Sequence, residues 1–226
     1  MKRYLKNIKE VLFTVTYICF LYSLSAIIVK IFNLSKTNTV LYIDHLYPTI
    51  PFFIFPYIMY YIYITIGPIY IGQKNETTLH KYTTDVTITT TTCFIIFLIY
   101  PTCVDRSGLT SDDSLLFTLF TSIREKIDVT CNALPSLHAA ISWLVHLRIK
   151  ELNVSKKYII ISLITSISIC LATFIIRQHG IIDTITGIIL AELIHYITNN
   201  YNLDKKLFQC IIKENKTYSY KSTDNT

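Results

Sequence analysis

KYIIISLITSISICLATFIIRQHGIIDTITGIILAELIHYIT, residues 157–198, is the stretch that decides the fold. Two apolar runs, each of about twenty residues and so near the length of a bilayer crossing, flank a short polar break. The break holds Arg177 and His179, and Asp183 lies inside the second run. A carboxylate within a membrane segment is costly unless it faces the interior of a bundle and has a partner. His179 and Asp183 stand four residues apart, so on a helix they share a face, and Gly187, Ala191 and His195 continue that stripe. Small and polar residues suit an inward face. The spacing predicts that Asp183 hydrogen-bonds His179 and fixes its tautomer, leaving the other ring nitrogen free as base or nucleophile. A structural pair stapling two helices fits the same spacing.

Working outward, four more apolar segments appear, giving six in all: 10–32, 48–72, 86–104, 133–149, 157–176 and 179–198. The 226 residues are 51% hydrophobic and 16% charged, with a mean hydropathy of +0.42. These values exclude an ordinary soluble domain and give no reason to expect a nucleic-acid partner. The expected fold is all-α: an integral membrane bundle of six transmembrane helices. Residues 1–47 form an N-terminal segment with the first span, 48–198 the core, and 199–226 a polar, Lys-rich tail. The N-terminal apolar run is too long for a signal peptide and shows no small-x-small cleavage site. Pro48, Pro51, Pro56 and Pro68 predict a broken start or kinks in the second span. The fourth segment is short before Arg148 and is expected to begin inside the mouth of the bundle.

Basic residues sort the connections into two sets. The N-terminus, residues 73–85, residues 150–156 with their flanks, and the tail hold fifteen Lys and Arg; the opposite set holds five, among them Arg106 and Arg177. By the positive-inside tendency both termini are cytoplasmic. Arg106, His138, Arg177, His179 and Asp183 then all fall on the non-cytoplasmic face, toward a lumen, a periplasm or the exterior.

One further stretch matters on that face: CNALPSLHAAISW, residues 131–143. Pro135 suits the first turn of a helix. Ser136, Leu137 and His138 would then offer first-turn N–H groups, a hydroxyl and an imidazole at a natural anion site. Arg106 and Arg177 supply forks that match phosphate oxygens. Each feature alone is ordinary. Together, two histidines, two arginines, a helix start and an aspartate fit phosphoryl transfer by a nucleophilic histidine, with a second histidine as acid.

The motifs NALPSLHAA and RQHGIIDTITG, in that order, resemble the type-2 phosphatidic acid phosphatase superfamily, in its P-S-L-H branch. IYPTCVDRSG resembles a degenerate first motif of that branch. The resemblance covers about residues 48–198. It implies a six-helix membrane core and a metal-independent lipid-phosphate or lipid-pyrophosphate phosphatase with no cofactor. His179 would form the phosphohistidine, Asp183 would orient it, and His138 would protonate the leaving alcohol. Arg106, Ser136, Leu137 and Arg177 would hold the phosphate. The sequence departs from the pattern at Ile99, where the motif lysine belongs, at Ser107, and at Thr173, where an arginine is usual. The branch also contains lipid headgroup transferases of the inositol phosphorylceramide synthase type. A catalytically inactive polytopic protein is the third reading.

Weaker signals remain. Cys103 and Cys131 lie near the first and second motifs, and spacing alone leaves open whether they are thiols or a disulfide. Residues 111–126 predict a short interfacial helix. Glu192 and His195 read as a structural pair, His146 as interfacial, and the threonine run 87–92 as compositional.

Overall fold

The computed structural model describes residues 2–46, 48–104, 118 and 131–204. Among these it has six α-helices: α1 (Lys2–Ile31), α2 (Ile54–Lys74), α3 (Glu76–Ile99), α4 (Leu137–Lys150), α5 (Lys156–Ile175) and α6 (Ile181–Tyr201). Two short strands, β1 (Thr37–Asn38) and β2 (Thr102–Cys103), pair in parallel. Five helices are long and apolar enough to cross a membrane. The exception is α4. Its 14 residues rise only about 21 Å, short of a hydrocarbon core of about 30 Å. Six spans were expected; among the described residues there are six helices, of which five reach span length.

The short helix lies at the centre. α4 packs against α2, α3, α5 and α6. Ala139, Ala140, Ile141, Ser142, Leu144 and Val145 are all buried. Small residues allow this close approach. A Cβ on Gly67 of α2 would stand 2.6 Å from Val145 Cγ1. The outer faces of α5 and α6 expose Ile160, Ile164, Ile167, Ile185, Ile189 and Leu193, the surface a bilayer would cover.

Local sequence explains several boundaries. A 3₁₀ turn at Pro51–Phe53 precedes α2, and Pro68 lies within that helix, as the prolines suggest. Residues 73–85 were expected to be a connection, but Asn75 alone separates α2 from α3. Its side chain caps α3 by accepting from Thr78 N–H at 3.2 Å. Residues 76–85 are helical because α1 satisfies their polar groups. Lys6 pairs with Glu76, while Glu10 Oε1 meets His80 Nδ1 and the Thr83 hydroxyl, each at 2.8 Å. Thr84, Thr87 and Thr91 return their hydroxyls to the carbonyls four residues back, which makes a threonine-rich span affordable.

The bundle has two polar ends. At one, Arg148 on α4 is fully buried and donates to Asp85 on α3 at 2.7 Å, to Glu151 at 2.8 Å and to Asn199 on α6 at 2.8 Å. Arg148 is thus an internal ion-pair partner and not a loop charge. His195 lies 3.3 Å from Glu151 and 3.8 Å from Asp85. The expected Glu192–His195 pair is replaced: Glu192 accepts from Trp143 Nε1 at 2.8 Å. His146 is buried and meets the Ser162 hydroxyl at 2.8 Å, so it is a core residue and not an interfacial one. The other end carries the candidate site.

Candidate active site

Four pieces of chain build the site. They are the connection after α1, the turn before α4, the α5–α6 turn, and the first turn of α6. Ser136 is the N-cap of α4, with its hydroxyl accepting from Ala139 N–H at 3.3 Å. Pro135 precedes the helix instead of lying in its first turn, and the Leu134–Pro135 peptide is cis. His138 follows Leu137 in the first turn. Across from it, α5 ends at Ile175, and Arg177 adopts a left-handed backbone with φ of 55°. The chain reverses there, and the amides of Gln178 and His179 both donate to Thr173 carbonyl, at 2.8 and 3.0 Å. This tight reversal places His179 against His138.

The two imidazoles meet directly, His138 Nδ1 to His179 Nε2 at 3.2 Å. His179 Nδ1 lies 3.0 Å from the carbonyl oxygen of Ala133. A carbonyl only accepts, so Nδ1 carries the proton and Nε2 presents its lone pair toward His138. His138 Nδ1 must then donate. One ring is thereby set as the base or nucleophile and the other as the proton carrier. Tyr60 and Tyr57 of α2 pack on His138, with ring centroids 4.5 and 5.4 Å away. A phosphoryl group cannot fit between nitrogens in direct hydrogen-bond contact. No group can lie between these two nitrogens unless one ring turns aside.

Asp183 is fully buried, and its contacts differ from those expected. His179 lies before α6 begins, so the two residues do not share a helical face. The Asp183 Oδ2 to His179 Nδ1 distance is 3.8 Å, an electrostatic contact and not a hydrogen bond. Oδ2 instead accepts from Gly180 N–H at 2.8 Å and from the Thr39 hydroxyl at 3.0 Å. The Asp183 carbonyl accepts from Ser136 N–H at 2.9 Å, tying the two motifs together through backbone. Below it, Gly187 permits the approach: a Cβ there would stand 2.5 Å from Ser136 carbonyl oxygen.

Sequence reasoning missed Thr39, Asp44 and the Ala133 carbonyl. Asp44 is buried and accepts from Ile181 N–H at 3.0 Å and from Leu41 N–H at 2.7 Å. Asp44 and Asp183 thus already occupy the positive end of α6, where carboxylates are favoured. An anion finds no welcome there. The start of α4 is a further helix N-terminus at this end, and Arg177, in the α5–α6 turn, has a buried Nε and Nη1 that find no acceptor among the described residues. Arg106 and the helix expected over 111–126 fall within 105–130, of which only Thr118 is described. No group of three or more His, Cys, Asp or Glu that could hold a metal ion occurs among the described residues.

Comparisons with protein-family models, with curated proteins and with solved structures found no match to this chain. The geometry therefore carries the functional argument.

A lateral apolar groove lies nearby, between α2 and α5. It consists of two cavities of about 280 and 370 Å³ that share Met59 and Thr165 in their walls. Phe52 and Pro56 line the end nearer the site, and Tyr158 and Ile149 the far end.

Proposed function

We propose that this chain is a membrane lipid-phosphate or lipid-pyrophosphate phosphatase that works through a phosphohistidine. The observation that carries the reading is the directed pair: His179, its Nδ1 proton held by Ala133 carbonyl, aims its Nε2 lone pair at His138. In the proposed reaction His179 Nε2 attacks phosphorus and the ester bond to the leaving oxygen breaks. His138, protonated, gives that oxygen a proton as the alcohol departs. Water then attacks the phosphohistidine, with His138 accepting the proton, and phosphate leaves. Asp183 supports the positive charge on the His179 ring at 3.8 Å. Arg177 and the first amides of α4 hold the phosphate oxygens. The apolar groove between α2 and α5 would suit a lipid tail, and on that ground we favour a lipid over a soluble phosphate ester.

The test is protein in detergent, given a panel of lipid phosphates without added metal. Phosphate release should survive EDTA and be inhibited by vanadate. His179→Ala and His138→Ala should each lose at least a hundredfold in rate. Full activity in His179→Ala would sink the mechanism, and headgroup transfer without phosphate release would select a transferase. The proposed orientation puts this end of the bundle on the non-cytoplasmic side. A cysteine introduced near residue 110 should label from outside and one near 153 should not; the reverse pattern would invert the topology.

A further inference from the structure

Three backbone stretches form a small frame around the nucleophile. β1 pairs with β2, and Cys103 of β2 forms an antiparallel bridge with Cys131. Thr39, just past β1, donates its amide to Cys103 carbonyl at 3.0 Å and its hydroxyl to Asp183. Ala133, two residues past Cys131, accepts from His179. Leu134 N–H donates to the Thr102 hydroxyl oxygen at 2.9 Å, fastening the third stretch to the second. The structure holds both sulfurs as thiols.

We propose that Cys103 and Cys131 are a disulfide-forming pair that locks this frame. Residues directly opposite in an antiparallel bridge have Cα atoms about 4.5–5.5 Å apart and side chains on the same face. A disulfide needs a Cα separation of about 4.4–6.8 Å, which this pairing supplies, and a Cβ separation of about 3.5–4.5 Å, which a small closing of the two side chains would reach. Cys131 lies in an apolar pocket with Ala26 and Val29, whereas Cys103 is only partly buried, so the pair has one side open to a reagent. The oxidant is a disulfide, small-molecule or protein. The Cys103 thiolate attacks one of its sulfurs and releases a thiolate. Cys131 then attacks the mixed disulfide, forming the Cys103–Cys131 bond and releasing the second thiolate. Two protons and two electrons leave the protein, and the oxidant is reduced to two thiols. Of the six cysteines in the chain, only this pair is set in register by backbone pairing among the described residues. The inference does not rest on the phosphatase reading, because neither thiol takes part in the proposed reaction.

The full chain in detergent, equilibrated with oxidised glutathione, then alkylated and digested, tests it. A peptide pair linked through Cys103 and Cys131 is expected, and reduction should return both as alkylated thiols. Reduction should also lower the unfolding midpoint by several degrees, because closing the long intervening loop restricts the unfolded chain. The Cys103→Ser and Cys131→Ser variants should lack both the link and the shift. Recovery of both residues as alkylated thiols after oxidation of the native protein, or linkage of either to another cysteine, would overturn the proposal. The peptide map of the unaltered chain decides the matter even if the variants do not fold.

Discussion

His179 owes its orientation to a backbone carbonyl, while the nearest carboxylate, Asp183, stands 3.8 Å away and is held by other donors. Arg177 presents the complementary case: a left-handed residue at a reversal, with two buried nitrogens that find no acceptor among the described residues. Arg177→Ala should raise KM for a lipid phosphate at least tenfold. Arg177→Lys should recover little of the loss, since an ammonium cannot reproduce a planar fork. Equal KM in all three proteins would remove Arg177 from the phosphate site. At this scale the meeting of His138, His179, Asp183 and Ser136 was legible because polar side chains are conspicuous in an apolar sequence. Thr39 was not, in a chain rich in threonine, and Ala133 acts through a carbonyl that every residue has. Asp44 stood in plain view in YIDH, but only the fold carries it to the start of α6.

The elements α4 and α6 meet at Gly187, under the turn that carries Ser136. Because the nearest atom to an added Cβ is a backbone carbonyl, no flexible side chain can yield to it. Gly187→Ala should therefore cost about 1–3 kcal/mol of stability and lower activity by shifting Ser136 relative to Asp183. Thermal unfolding in detergent and lipid-phosphate hydrolysis would measure the two effects, and an unchanged midpoint would show that the helices can part freely. The inward stripe of Asp183, Gly187 and Ala191 was readable from helical spacing, and all three are buried. The start of α3 was not readable. Glu76, His80, Lys81 and Asp85 look like a loop in sequence, and only contacts with α1, α4 and α6 show why they are helical.

Across the whole molecule, α4 joins the two polar ends, with His138 at one and Arg148 at the other. Removing one member of a buried ion pair leaves its partner charged and unsolvated. Arg148→Met should thus destabilise by about 3–5 kcal/mol, while Arg148→Met with Asp85→Leu should recover most of the loss. Unfolding midpoints of the three proteins would check this; equal losses in the single and double variants would show that the pair is not the source. Among the described residues, the N-terminal turns of α1, the α2–α3 junction and the α4–α5 connection lie at the Arg148 end, and Lys36 and Arg177 lie in connections at the other, although Arg148 itself is an internal ion-pair partner.

The shortness of α4 bears on how the chain enters a membrane. A 14-residue segment carrying His138, His146, Arg148 and Lys150 has little affinity for hydrocarbon and too little length to cross it unaided. During synthesis it emerges after α3 and before the strongly apolar α5. Its insertion must therefore await the helices that will surround it. His138 and the buried Arg148 then reach their places together, as a late and collective step of assembly.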